Sequence, residues 1–152
     1  MKKILIISLL SLVFPNNVLA LPDCDKGTHW TEWTNCHGIM QLANGEKYVG
    51  EWKNGFKHGQ GSQIYSNGSE YVGNFIAGKP YGKGHMKYPD GGEYDGEFKF
   101  GFREGKGTMI WSYGGQYTGE WTNDKVHGQG TATWPDGRKY VGKYENEKRH
   151  GM

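Results

Sequence analysis

Three histidines, three acids and a set of cations recur in register along this chain, and each set suggests a chemistry. His58, His127 and His150 occupy one place in the pattern, as metal ligands would. Glu51, Glu97 and Glu120 occupy another and are of the type used in general acid–base work. Lys57, Lys79, Arg103, Lys125 and the pair Lys148–Arg149 recur as cations that would suit an anionic surface. Spacing decides against the first two sets. His58 and His127 lie three units apart, roughly 30 Å at two strands per unit, whereas the ligands of one zinc sit about 2 Å from it. The acids alternate with aromatic residues, which turns them away from the rings and onto solvent. No Gly-x-Ser-x-Gly elbow, metal-ligand helix motif or phosphate-cradling loop accompanies them. The sequence therefore implies no enzyme, catalytic residue, metal or cofactor.

The elements that must position these residues follow from an internal repeat. Tyr-x-Gly occurs at Tyr48, Tyr71, Tyr94, Tyr117 and Tyr140, each step being 23 residues. With the tyrosine as position one, position three is Gly50, Gly73, Gly96, Gly119 and Gly142. Position five is aromatic throughout: Trp52, Phe75, Phe98, Trp121 and Tyr144. Position twelve is Gly59, Gly82, Gly105, Gly128 and Gly151, and position fourteen is Gly61, Gly84, Gly107 and Gly130. Position eighteen is again aromatic, at Tyr65, Tyr88, Trp111 and Trp134.

Side chains alternate faces along a strand, so positions one, three and five share a face, and so do twelve, fourteen and eighteen. Regular glycines beside large rings imply rings lying flat on bare backbone. Ser66-Asn67-Gly68, Pro89-Asp90-Gly91 and Pro135-Asp136-Gly137 are hairpin turns. Positions six to eleven read as the other, longer connection, such as Lys53 to His58. The fold class is all-β: an elongated, single-layer antiparallel meander of repeated 23-residue β-hairpins. The aromatic columns form its core, and the cations line one loop edge at about 10 Å intervals.

These columns resemble MORN (membrane occupation and recognition nexus) repeats. The stretch from Tyr48 to Gly61, YVGEWKNGFKHGQG, carries the resemblance, and Tyr117 to Gly130 matches nearly as well. The resemblance implies a ribbon of hairpins without a common catalytic residue. It implies protein contacts, self-association or, in some members, binding to anionic phospholipids. Tyr81 and Glu104 depart from the histidine at position eleven, and Asp124 and Glu147 from the glycine at position eight.

Residues 1–20 read as a secretory signal peptide: Lys2 and Lys3, an apolar run from Ile4 to Phe14, and cleavage after Ala20. The destination is the periplasm or beyond. There an oxidising environment favours a Cys24–Cys36 disulfide. A zinc site would need His29 and His37 as well, at irregular spacing. Residues 21–47 read as a worn, capping repeat, and residues 48–152 as four full units and one truncated unit.

The chain has 18 Lys and Arg against 16 Asp and Glu, and setting aside Lys2 and Lys3 leaves 16 of each. That balance disfavours nucleic acid as a partner. The expected function is an exported binding or scaffold module that contacts a protein or itself. A free last strand invites an edge-to-edge homodimer. The alternatives are an anionic phospholipid surface met by the cationic edge, and glycan or cell-wall binding by exposed rings.

Overall fold

The computed structural model describes residues 20–145 and 147–150. The expected signal peptide over residues 1–20 lies outside them, apart from Ala20. Among the described residues, eleven strands form one antiparallel sheet in strict sequence order. They are β1 (Cys36–Gln41), β2 (Lys47–Lys53), β3 (Phe56–Ile64), β4 (Glu70–Ile76), β5 (Lys79–Lys87), β6 (Glu93–Lys99), β7 (Phe102–Ile110), β8 (Gln116–Thr122), β9 (Lys125–Thr133), β10 (Lys139–Glu145) and β11 (Lys148–His150). At normal strand spacing the ribbon is about 50 Å long. The expected all-β meander is thus observed, each 23-residue unit supplying two strands.

One face carries the core. Tyr48, Tyr71, Tyr94 and Tyr117 are buried, and so are Trp52, Phe75, Phe98, Trp121 and Tyr144. Each tyrosine meets the position-five ring of its own unit and of the next, edge to face. Tyr48 lies 5.3 Å from Trp52 and 5.0 Å from Phe75, and Tyr71 lies 5.1 Å from Phe75 and 5.0 Å from Phe98. The series continues to Tyr140 and Tyr144, 5.2 Å apart. Edge-to-face pairs contribute about 0.5–1.5 kcal/mol each beyond area burial, and this chain of them replaces an aliphatic core.

The position-fourteen glycine makes the stacking possible. A Cβ on Gly61 would stand 2.5 Å from the Tyr48 hydroxyl oxygen, and one on Gly84 would stand 2.5 Å from Tyr71 Cε2. The tyrosine hydroxyl then donates to the position-four carbonyl: Tyr48 to Glu51 at 2.9 Å, Tyr71 to Asn74 at 3.0 Å, Tyr94 to Glu97 at 3.1 Å.

Position twelve corrects the expectation. It does not share the ring face with position fourteen. The register shifts after Gly50, which pairs with Gly61, while Glu51 pairs with His58. Gly59 and Gln60 form the resulting bulge, and Gly59 has φ +54. Its glycine serves left-handed backbone, and a Cβ there would strike the Glu51 carboxylate instead of a ring.

The connection expected over positions six to eleven is also corrected. Asn54 and Gly55 alone join β2 to β3, with φ +52 and +74, the primed geometry that matches strand twist. The residues beyond the turn are zipped into the next strand. Adjacent tips are tied together: Gly55 N–H donates to the Trp33 carbonyl, Gly78 N–H to Lys57 and Gly101 N–H to Pro80.

Residues 21–47 imitate a unit. Cys24 and Cys36 are joined by a disulfide, and β1 pairs with β2 through Gly38 and Gly50. Gly38 stands at position fourteen of the worn unit, whose tyrosine place is taken by Asp25. Trp33 substitutes: its ring covers Gly38, and its indole N–H donates to the Asp25 carbonyl at 2.9 Å.

Candidate functional site

The acids have a structural task. Glu51 accepts from the backbone N–H of Gln60 at 3.1 Å, and Glu120 from that of Gln129 at 3.1 Å, which caps the bulge. They do face away from the rings, as expected, but they are not idle there. The histidines take part through the main chain: the carbonyls of His58 and His127 accept from Tyr48 and Tyr117 at 3.3 and 3.2 Å. The His150 imidazole lies 3.7 Å from the Glu145 carboxylate across the β10–β11 hairpin, and those of His58 and His127 have no such partner among the described residues. Among the described residues no His, Cys, Asp and Glu side chains cluster as a metal site.

The cations do not form one line. With only two residues in the turn, positions nine and ten both lie in strands and point to opposite faces. Lys57 and Arg103, at position ten, turn onto the aromatic face. The Lys57 ammonium sits 5.5 Å over the Tyr48 ring and donates to Gln63 Oε1 at 2.7 Å. Burial lowers its pKa from the usual lysine value, and Glu46 opposes that shift in part. The Arg103 guanidinium lies 4.5 Å from the Trp121 ring and pairs with Asp124 at 3.0 Å. Arg149 reaches the same face, 5.5 Å from the Tyr140 ring. Lys79, Lys125 and Lys148, at position nine, are exposed on the other face.

Pairing across the tight turn brings residues together that the sequence reading missed. Position six pairs with position nine: Lys53 with Phe56, Ile76 with Lys79, Lys99 with Phe102. Each of the first three tips thus presents one lysine beside one large apolar side chain. Phe56, Phe102 and Phe100 are 56%, 50% and 48% exposed. Phe100 sits in the turn itself at φ +50 and lies 5.4 Å from Tyr81. Units four and five lack the apolar partner, pairing Thr122 with Lys125 and Glu145 with Lys148. Only a turn of the right length, placed in the sequence, would have revealed these pairs.

Away from the tips, the face opposite the core carries a shallow trough floored by glycine backbone between balanced charges such as Lys83, Asp95, Glu97 and Lys106. On the aromatic face, Tyr65, Tyr88, Trp111 and Trp134 are half-buried at the margin, and burial pushes the Tyr65 hydroxyl up to about 12.

A single sheet of near-identical hairpins with rings as core defines a repeat ribbon. The chain belongs to the MORN repeat family, matching it over residues 48–70, 71–93, 94–116 and 117–137. MORN repeats are generally non-catalytic modules that bind proteins or membranes. The chain has no match among curated proteins. Among solved structures it is similar to the SAS-4 (dCPAP) TCP domain of Drosophila melanogaster, solved in complex with a proline-rich motif of Ana2 (dSTIL). The identity is 12% over 72% of this chain and 90% of that one, with a TM-score of 0.22.

Proposed function

We propose that this protein is a non-catalytic binding ribbon that settles edge-on against an anionic membrane through the hairpin tips of its first three units. The observation that carries the reading is the lysine–apolar pair at three consecutive tips: Lys53–Phe56, Lys79–Ile76 and Lys99–Phe102. Exposed phenylalanines suit the boundary between headgroups and acyl chains. Each nearby lysine adds about 1 kcal/mol of attraction to an anionic leaflet. Phe100 strengthens the case, because a left-handed turn position disfavours it and about half of the side chain still faces solvent. The leader over residues 1–20, together with the Cys24–Cys36 disulfide, supports export to the periplasm or beyond.

Liposome co-sedimentation tests the membrane reading. Binding to anionic vesicles is expected, with little to neutral ones, and weakening as salt rises from low to physiological. Phe56→Ser with Phe102→Ser should weaken it without moving the melting temperature. Equal sedimentation with and without vesicles would remove this reading and leave protein contact as the module's use. That second mode has its own support, on the aromatic face.

A further inference from the structure

On the aromatic face, position sixteen forms a floor that runs along the ribbon: Gln63, Met86, Met109 and Ala132. Position eighteen walls one side and position ten the other. In the first and third units a long cation crosses the floor. Lys57 reaches Gln63, and Arg103 lies 3.8 Å from the Met109 sulfur. In the second unit position ten is Pro80, which is too short to cross. The floor stays open over Met86 there, as a groove of about 690 Å³ bordered by Lys57, Tyr65, Pro80, Tyr88 and Arg103.

The two ends of this groove differ in charge. Arg103 is neutralised by Asp124 at 3.0 Å. Lys57 has no carboxylate within ion-pair reach among the described residues. Its ammonium touches only the Gln63 amide and the face of Tyr48, both neutral, while Glu46 on the groove rim acts on it from beyond ion-pair reach. A half-buried cation with no carboxylate in contact has given up water for partial replacement, and an incoming carboxylate would complete the balance. Size sets the occupant. From Lys57 on β3 to Arg103 on β7 is four strands, about 19 Å, which an extended chain covers in about six residues. The groove is open along its length, so it suits a lying segment better than an enclosed small molecule.

We infer that this groove docks an extended, acidic segment of a partner protein, with an apolar side chain on Met86 between Tyr65 and Tyr88 and a carboxylate on Lys57. Tyrosine, methionine and arginine are the residues that interfaces favour, and the groove is lined with them.

A dye-labelled octapeptide alternating glutamate with leucine is the probe, set against its glutamine counterpart and followed by anisotropy. The acidic peptide should bind at least tenfold more tightly than the neutral one. Lys57→Gln should erase that preference, with its melting temperature confirming the fold. Met86→Trp, which fills the floor, should weaken both peptides. The tip variants Phe56→Ser and Phe102→Ser should leave peptide binding unchanged, which separates this site from the membrane edge. Absence of acidic-peptide binding, or a preference that survives Lys57→Gln, would overturn the assignment.

Discussion

Gly61 and Gly91 are both glycines of the repeat, yet the structure needs them for different reasons. A Cβ at Gly61 would meet the Tyr48 ring, whereas at Gly91 nothing lies within 4 Å and only φ +89 demands glycine. Gly61→Ala should cost about 3 kcal/mol by overpacking, and Gly91→Ala about 1 kcal/mol by backbone strain. Urea titrations in a Tyr48→Leu background separate the two mechanisms. There the Gly61 penalty should shrink while the Gly91 penalty stays; equal shrinkage of both would refute ring stacking as the cause. The stacking was legible because tyrosine and glycine columns recur together. The position-sixteen floor was not, since Gln63, Met86, Met109 and Ala132 are not one residue type throughout. The same rings set the response to alkali. Burial pushes Tyr117 up to about 12, and raises Tyr48, Tyr71 and Tyr94 further above the usual 10.0. A folded-state pKa above the unfolded one means protons are held more tightly by the native protein. Stability is therefore full below pH 10.0 and falls as pH rises through the folded values. The tyrosinate absorbance of these four residues should appear cooperatively with loss of the sheet signal. Gradual ionisation of Tyr48, Tyr71, Tyr94 and Tyr117 inside an intact sheet would contradict a core built on these hydroxyls.

Turns and caps govern the element scale. The tight turn between positions six and nine escaped the sequence because the bulge at Gly59 and Gln60 slips the pairing by two residues, so simple alternation loses the phase. Once the slip is known, Asn54-Gly55 reads as a primed turn, and Phe100-Gly101 stands out as its misfit. Phe100→Asn should raise stability by about 1 kcal/mol, because asparagine tolerates left-handed backbone and phenylalanine does not. If the tips meet a membrane, the same change should lower vesicle binding. A variant both more stable and equally well bound would detach Phe100 from function. The cap obeys a related logic. Trp33 takes the tyrosine's place over Gly38, and the disulfide holds the segment that delivers it. Closing that loop is worth about 3 kcal/mol in the chain-entropy model. Cys24→Ser with Cys36→Ser should lower the melting temperature accordingly, and Trp33 emission should shift to the red as its ring leaves Gly38. The disulfide was legible from two lone cysteines in a chain that reads as exported. The ring exchange was not, because nothing in the spacing ties Trp33 to Gly38.

At the scale of the molecule, each hairpin contacts only its neighbours, with β strands paired in strict sequence order. Such an array gains stability unit by unit. Its lattice of contacts has translational symmetry: Tyr48 to Phe75, Tyr71 to Phe98, Tyr94 to Trp121, at 5.0 to 5.3 Å. The 23-residue period made this legible from sequence alone, since only a repeated unit can keep so many columns in phase. What the period hides is inequality between units, and both proposed binding surfaces lie there: apolar tips end after the third unit, and the open groove belongs to the second. Excising residues 71–93 separates the common scaffold from the unequal surfaces. The new junction joins Glu70 to Tyr94 and sets Tyr48 against Phe98 in place of Phe75, with every column restored. This shortened protein should fold with a reduced melting temperature, keep two of its three lysine–apolar tips and bind anionic vesicles more weakly. It should lose the acidic peptide entirely, because Pro80 and Met86 go with the excised unit. Removing residues 71–92 instead displaces everything downstream by one residue, which turns each ring of the later strands to the wrong face. That variant should not fold cooperatively. If it melted like the 71–93 excision, the phase of the columns would not be what specifies this sheet.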